Sequence, residues 1–247
     1  MTFISPVLNI LSRSIRSAGK LLVRDFNELE NLQSSIMSNE KFINKSVTKL
    51  QKHIEENLKK IRPNYEFDYI DNKNKNANSF ENCWLICLID GFSNFKHAIP
   101  HFCISVSLKE NKEIVSSIVF DPIKDELFQA QKEKGCYLNN FRVKTSSKIF
   151  SSVLFSSIDK SFNFPKNLID DHSKIKIFGS PLLDFCYLAA GRADLVYHSG
   201  YNQKYLETST LILNEAGGKL IEVNVEKNIS IVSNKKNEQK FKDLFKN

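Results

Sequence analysis

Trp84–Leu108 reads WLICLIDGFSNFKHAIPHFCISVSL. Trp84 to Ile89 is an unbroken apolar run, the pattern of a strand buried on both faces. It stops at Asp90-Gly91, where glycine permits a sharp turn. Asn94 to His97 predicts a short helical segment limited by Pro100. His101 to Leu108 alternates apolar and polar residues, as a second strand does. A strand that delivers an acidic residue to a tight turn, with backbone N–H groups beyond it, suits a cation and a phosphate side by side.

Outward from this stretch, Ser5-Pro6 is a cap followed by a first-turn proline, and Leu8, Leu11, Ile15 and Leu22 follow at helical spacing. This predicts an amphipathic helix from residue 6 to about 25. A second helix is expected from Lys41 to Lys60, with Leu50, Ile54 and Leu58 on one face. Residues 71–82, DNKNKNANSFEN, read as a polar loop. Beyond Leu108, Glu110-Asn111-Lys112 marks a hairpin turn into Ile114–Phe120, and Glu126–Ala130, Gly135–Leu138 and Phe141–Val143 continue an antiparallel meander. From about Ser146 the pattern becomes strand–helix–strand: a strand at Val153–Ser157, a helix at Ser180–Ala190, a strand at Leu195–Tyr197 and a helix at Leu206–Glu215, capped by Gly217-Gly218. The expected organisation is an α+β half (residues 1–145) and an α/β half (146–247) forming one compact unit.

A chain of 247 residues with 41% hydrophobic and 26% charged residues has the composition of a soluble globular protein with a sizeable core. No apolar run reaches the roughly 20 residues that span a bilayer, and the N-terminus lacks the charge pattern of a signal peptide. The five cysteines, Cys83, Cys87, Cys103, Cys136 and Cys186, lack zinc-type spacing and sit in apolar contexts, as reduced thiols of a cytoplasmic protein do. The net charge of +7 admits an anionic partner such as RNA, but the excess reads as lysine spread along the chain rather than a binding module.

Cys87-Leu88-Ile89-Asp90-Gly91-Phe92-Ser93-Asn94-Phe95, followed by His97-Ala98-Ile99-Pro100-His101-Phe102, resembles the signature of the inositol monophosphatase family. That signature runs Asp-Pro-Leu/Ile-Asp-Gly-Thr-Thr-Asn-Phe, then His-Gly-x-Pro-His-Phe. Gly179–Asp194, GSPLLDFCYLAAGRAD, is similar to the family's Gly-Ser-Ala-Ala-Leu-Asp-Leu-Cys-Tyr-x-Ala-Ala-Gly-Arg-x-Asp. The resemblance runs from about Ser5 to Gly218. It implies a mixed α/β protein with the family's five-layered αβαβα sandwich, and a homodimer.

The resemblance also implies a Mg²⁺-dependent phosphate-monoester hydrolase acting on inositol or sugar phosphates, with carboxylates holding the metal and a Glu-Thr pair positioning water. Matched position by position, the first metal glutamate falls on Ile70, the first signature aspartate on Cys87, the water-activating threonine on Phe92 and the third metal aspartate on Tyr205. Asp90 alone keeps its metal-ligand identity. Gly91, Phe92, Ser93, Gly179, Ser180 and His198 match the phosphate and substrate pocket. One carboxylate does not offset two or three dications within about 4 Å of one another, and Asp71, next to Ile70 along the chain, points to the opposite face of a strand. Phe92 and Tyr205 are expected to fill the emptied cavity. Asp184 and Asp194 are expected in structural roles, and Asp90 in capping the turn that follows it.

Two functions follow. The first is a pseudophosphatase that acts as a binding or scaffold subunit, with little or no Mg²⁺. Its partners would be an identical chain, an active homologue, or the transcription and RNA machinery, with no membrane. The second is a hydrolase with an altered metal site built from Asp71, Asp68 and Glu66. A softer site of Cys87, Asp90, His97, His101 and Cys103, and a nucleophilic Cys87, are both weaker readings, because both histidines are also histidine in active relatives and Cys87 lacks an identifiable base.

Overall fold

The computed structural model describes residues 5–32, 36–70, 80–147, 152–156, 174–199, 203–224 and 229–234. The fold is mixed α/β, and its chain divides into two compact units, 1–129 and 130–247.

In the first unit, Ser5 caps α1 (Pro6–Leu32), its Oγ accepting from the Leu8 N–H at 3.2 Å. The helix runs past the expected end near residue 25, because Phe26 and Leu29 continue the buried stripe begun by Leu8, Leu11, Ile15, Ala18 and Leu22. α2 (Ile36–Ile61) likewise starts before Lys41 and buries Ile43, Leu50, Ile54 and Leu58. The helices are joined by a buried polar clip, Ser46 Oγ donating to Asp25 Oδ2 at 2.6 Å. Asp25, close to where the spacing predicts the helix to end, is buried and hydrogen-bonded inside α1.

Both helices pack on one face of a sheet. β1 (Glu66–Tyr69) lies parallel to β2 (Cys83–Asp90), which pairs antiparallel with β3 (Cys103–Glu110), and β3 with β4 (Glu113–Asp121). β1 is only four residues long and escaped the sequence reading. The β3–β4 hairpin turns through Asn111 and Lys112 at φ 52° and 66°, the paired left-handed geometry that suits strand twist. β5 (Glu126–Gln131), where the division falls, β6 (Gly135–Leu138) and β7 (Phe141–Val143) complete a seven-stranded sheet of order β1-β2-β3-β4-β5-β6-β7. Trp84, Ile86, Ile104, Val106, Leu108, Ile118 and Phe120 face the helices. Each such side chain contributes about 1.5–3 kcal/mol through burial. At Gly19 a Cβ would stand 2.4 Å from Phe120 Cε1, so glycine sets how closely α1 approaches β4.

Between β2 and β3, α3 (Phe92–Lys96) is anchored by Phe95, whose ring packs edge-on to Phe102 at 5.2 Å, with Phe26 of α1 at 5.1 Å from Phe102. His101 and Phe102 precede β3 rather than opening it.

The second unit holds β8 (Ser152–Ser156), β9 (Lys174–Lys176), α4 (Pro181–Ala189), β10 (Leu195–Ser199), α5 (Gln203–Glu215), β11 (Gly218–Asn224) and β12 (Ile229–Asn234). Their sheet has the order β11-β12-β10-β8-β9, with β8 parallel to β9 and β10, and β12 antiparallel to its neighbours. Ser157, expected at the end of the first strand of this half, lies outside the described residues. α4 is buried from Leu182 to Ala189, in keeping with its apolar sequence. The Glu215 carboxylate at the end of α5 accepts from the Glu133 and Gly135 N–H groups at 2.7 and 2.6 Å, tying the β5–β6 turn to the helix.

Candidate functional site

Strand alternation sends Trp84 and Ile86 toward the helices and Leu85 and Cys87 to the opposite face of the sheet. Phe67 and Tyr69 pack on the helix side, which places Asp68 on that opposite face, with Ile70 following at the end of β1. Ile70 is held by its N–H to the Ile86 carbonyl at 2.8 Å. Cys87 stands across from Ser105 of β3, and Ser105 across from Val119 of β4. Ile70, Cys87 and Ser105 are 1%, 0% and 0% exposed. Ile70 and Cys87 give this row an aliphatic side chain and a thiol where the resemblance expects carboxylates, and Ser105 adds a hydroxyl beside them. The Ser105 hydroxyl is buried with no hydrogen-bond partner among the described residues; the alternation of Cys103-Ile104-Ser105 puts it on this face, though it belongs to no local motif.

The pairing shifts between Cys87 and Asp90, so Asp90 lies opposite Cys103. The Cys103 thiol reaches Asp90 Oδ2 at 3.8 Å, a weak sulfur hydrogen bond, and Asp90 is 2% exposed. Gly91 follows at φ 77°, ψ 34°, the left-handed turn that its lack of a Cβ allows. α3 begins immediately, with Ser93 exposed on its first turn.

Phe92 departs from expectation. The residue is 43% exposed and does not fill a cavity. As the first helical residue its side chain leans back past the helix start, and the inward anchor of α3 is Phe95 instead.

Behind this turn, Asn94 Nδ2 donates to the His101 carbonyl at 2.8 Å and fixes the α3–β3 connection. Burial pushes the His101 imidazole down to about 4, helped by the Lys124 ammonium and opposed by Asp121. Asp121, fully buried, accepts from the Ile123 and Lys124 N–H groups at 2.9 and 3.0 Å and from Lys124 Nζ at 3.0 Å. His101, Asp121 and Lys124 thus belong to one polar cluster. His97 is exposed, its Nδ1 2.8 Å from the Ser93 carbonyl. Of the softer metal set, Asp90 and Cys103 come together, and among the described residues no three His, Cys, Asp or Glu side chains are grouped to hold a metal ion.

In the second unit, Gly179 turns at φ 78° and Ser180, fully buried, is the N-cap residue of α4 with Pro181 next. Asp184 is buried in the first turn of α4, and Asp194 is buried before β10, its carbonyl accepting from Ser233 Oγ at 2.9 Å. His198 of β10 is 2% exposed, with its ring 6.0 Å from that of Phe185. Tyr205 lies partly buried in the first turn of α5. Asp71 lies outside the described residues.

Magnesium asks for several hard oxygen ligands in near-octahedral geometry. Around the end of β2 the described side chains offer the Asp90 carboxylate with the Cys103 thiol 3.8 Å away, the Cys87 thiol three residues back along the strand, and the aliphatic Ile70. That donor set does not fit a magnesium cluster.

The family model described as "Inositol monophosphatase family" matches residues 4–243. An inositol-1-monophosphatase of Rhizobium meliloti is 33% identical over 224 residues, covering 87% of this chain and 84% of that protein. A protein named Nus factor SuhB from Pasteurella multocida is 27% identical, covering 89% and 86%. Among solved structures, the extragenic suppressor protein suhB of Bartonella henselae aligns with a TM-score of 0.79 at 26% identity over 98% of this chain and 100% of that one. An IMPase of Thermotoga maritima aligns with a TM-score of 0.80 at 22% identity, over 96% and 95%, and speaks to the fold alone.

Proposed function

Because this chain belongs to the inositol monophosphatase family, we propose that it is a member whose metal site has been dismantled and which works by binding. The observation that carries the reading is the buried row of Ile70 and Cys87 beside Asp90. Two positions that the resemblance assigns to metal carboxylates hold an aliphatic side chain and a buried thiol. Two or three dications near a single carboxylate repel one another without sufficient counter-charge. Phe92, at the position matched to the water-activating threonine, brings no hydroxyl, and Tyr205 brings no carboxylate.

A binding role needs a partner. In this reading the chain associates with a second copy or with an active homologue, and the relatives named Nus factor SuhB direct the search toward the transcription machinery. The setting is the cytoplasm, and no described helix is long and apolar enough to cross a membrane. The test is hydrolysis of inositol phosphates by tag-free protein in millimolar Mg²⁺. No turnover is expected. Turnover abolished by Asp90→Asn overturns the proposal.

A second reading, a magnesium-dependent phosphate-monoester hydrolase with an altered site, is favoured by the 33% identity to a relative named as an enzyme. Asp68, buried on the same face as Cys87, and Glu66 at the start of β1 are its recruits, with Asp71. It requires saturable Mg²⁺ binding. An isothermal titration without saturable heat rejects it.

A further inference from the structure

The chain's positive charge is not evenly spread. The first 62 residues hold 11 Lys and Arg against 6 Asp and Glu, a net +5 of the total +7. The fold then sorts these charges by helix face. On α2, Lys41, Lys45, Lys49 and Lys52 recur every three or four residues, which confines them to an arc of about 80° along about 16 Å of helix. All four are exposed, on the side away from Ile43, Leu50, Ile54 and Leu58. Only Lys52 has an acidic neighbour within ion-pair reach among the described residues, Glu56 at 4.0 Å. On the neighbouring α1, Arg13 and Lys20 are exposed opposite the Leu11–Leu22 stripe, whereas Arg16 pairs with Asp125 and Arg24 with Asp25.

We infer that the solvent face of α2 is a docking surface for the phosphate backbone of single-stranded nucleic acid. The charge is complementary, and the four-residue step along a helix, about 6 Å, is close to the spacing of successive phosphates on one strand. A flexible single strand lays several phosphates along a straight row, while a duplex backbone curves away from it. Lysines rather than arginine forks suit point contacts to phosphate and not base reading.

An anionic membrane is the poorer partner. A membrane-surface helix needs an apolar face to insert. The apolar faces of both helices are spent on the core, and Ile10 is the only exposed large hydrophobic side chain among their described residues. The lysine row shares no residue with the positions matched to the metal site, so it stands or falls independently of the proposed loss of phosphatase chemistry.

The experiment is fluorescence-anisotropy binding of the full chain to a labelled twelve-nucleotide oligouridylate, titrated from 50 to 200 mM salt. Parallel arms use a duplex RNA of the same length and vesicles of phosphatidylcholine and phosphatidylserine. Four neutralised phosphates give a slope of log K against log salt of about −3, and Lys45→Gln/Lys49→Gln lowers it to about −1.5. Lys134→Gln/Lys144→Gln removes the same charge elsewhere and is expected to leave the slope unchanged. The proposal is overturned by an absence of binding at 50 mM salt, by equal losses in both double variants, or by binding to the duplex or vesicles that is tighter than to the oligouridylate. Glutamine keeps helix propensity, and matched thermal melts of the variants establish that each remains folded.

Discussion

Replacing Cys87 with aspartate should damage the fold in a pH-dependent way. Cys87 is fully buried in the middle of β2, between the Ile70 end of β1 and Ser105 of β3, with Asp90 three residues on. A carboxyl placed there is cut off from water, with Asp68 on the same face and Asp90 further along β2, so both burial and like charge raise its pKa. A rise of about three units from the ordinary 3.9 is worth about 4 kcal/mol at neutral pH. The unpartnered Ser105 hydroxyl can donate to the new carboxylate and return about 1.5 kcal/mol. The net loss is about 2–3 kcal/mol at pH 7.5, or about 5–10 °C in Tm for a chain of this size.

The sign with pH follows from linkage. A carboxyl whose folded pKa is raised is neutral in both states below the unfolded value, so the penalty is absent there and grows as pH climbs through the window above about 3.9. Thermal melts of wild type, Cys87→Asp and Cys87→Ser at pH 7.5 and 4.5 measure it. The aspartate variant should lose most of its deficit at the lower pH, and the serine variant should show a small, pH-independent one. An aspartate variant as stable as wild type at pH 7.5 would refute the reading that this buried face disfavours a charged carboxyl.

Other predictions follow from the first unit. The His101 ring should titrate near 4 by NMR, because burial and Lys124 disfavour its cation. Since that value lies below the unfolded one, the protein should lose stability as pH falls from about 6.5 toward 4, and His101→Gln should flatten this slope in denaturant melts. Gly19→Ala gains up to about 1 kcal/mol of helix propensity but drives a methyl against the Phe120 ring, a clash costing about 1–3 kcal/mol. Urea denaturation should therefore show a net loss, reversed in part by the double variant Gly19→Ala/Phe120→Leu.

What the sequence made legible was whatever rested on unbroken pattern. The apolar run Trp84–Ile89 became a buried strand, Asp90-Gly91 became a left-handed turn, and the Asn111-Lys112 hairpin formed where its residues predicted. Helix ends were less legible: α1 runs on to Leu32 because Phe26 and Leu29 find a core, a tertiary fact that no local propensity carries. β1 was too short to show a period and is defined by its pairing with β2. At the candidate site, spacing brought out Ile70, Cys87 and Asp90. It passed over Ser105 and the Asp121–Lys124–His101 cluster, because side chains gathered across strands share no local motif. The exposed ring of Phe92 ran against the expectation of a filled cavity, since burial at the first residue of a short helix depends on what surrounds it and not on hydrophobicity. The lysine row of α2 was invisible in a net charge and emerged only when the helix gave those residues a common face.

The most direct test of the central claim is phosphatase activity, with Mg²⁺ or Mn²⁺, on a panel of inositol and sugar phosphates. Wild type is compared with the variant carrying Ile70→Glu, Cys87→Asp, Phe92→Thr and Tyr205→Asp. A dismantled site on an intact family fold predicts a silent wild type beside a variant that hydrolyses substrate and whose Tm rises with added metal. Turnover by the wild-type protein, lost on Asp90→Asn, would contradict the claim and show that the chain holds catalytic metal with other groups.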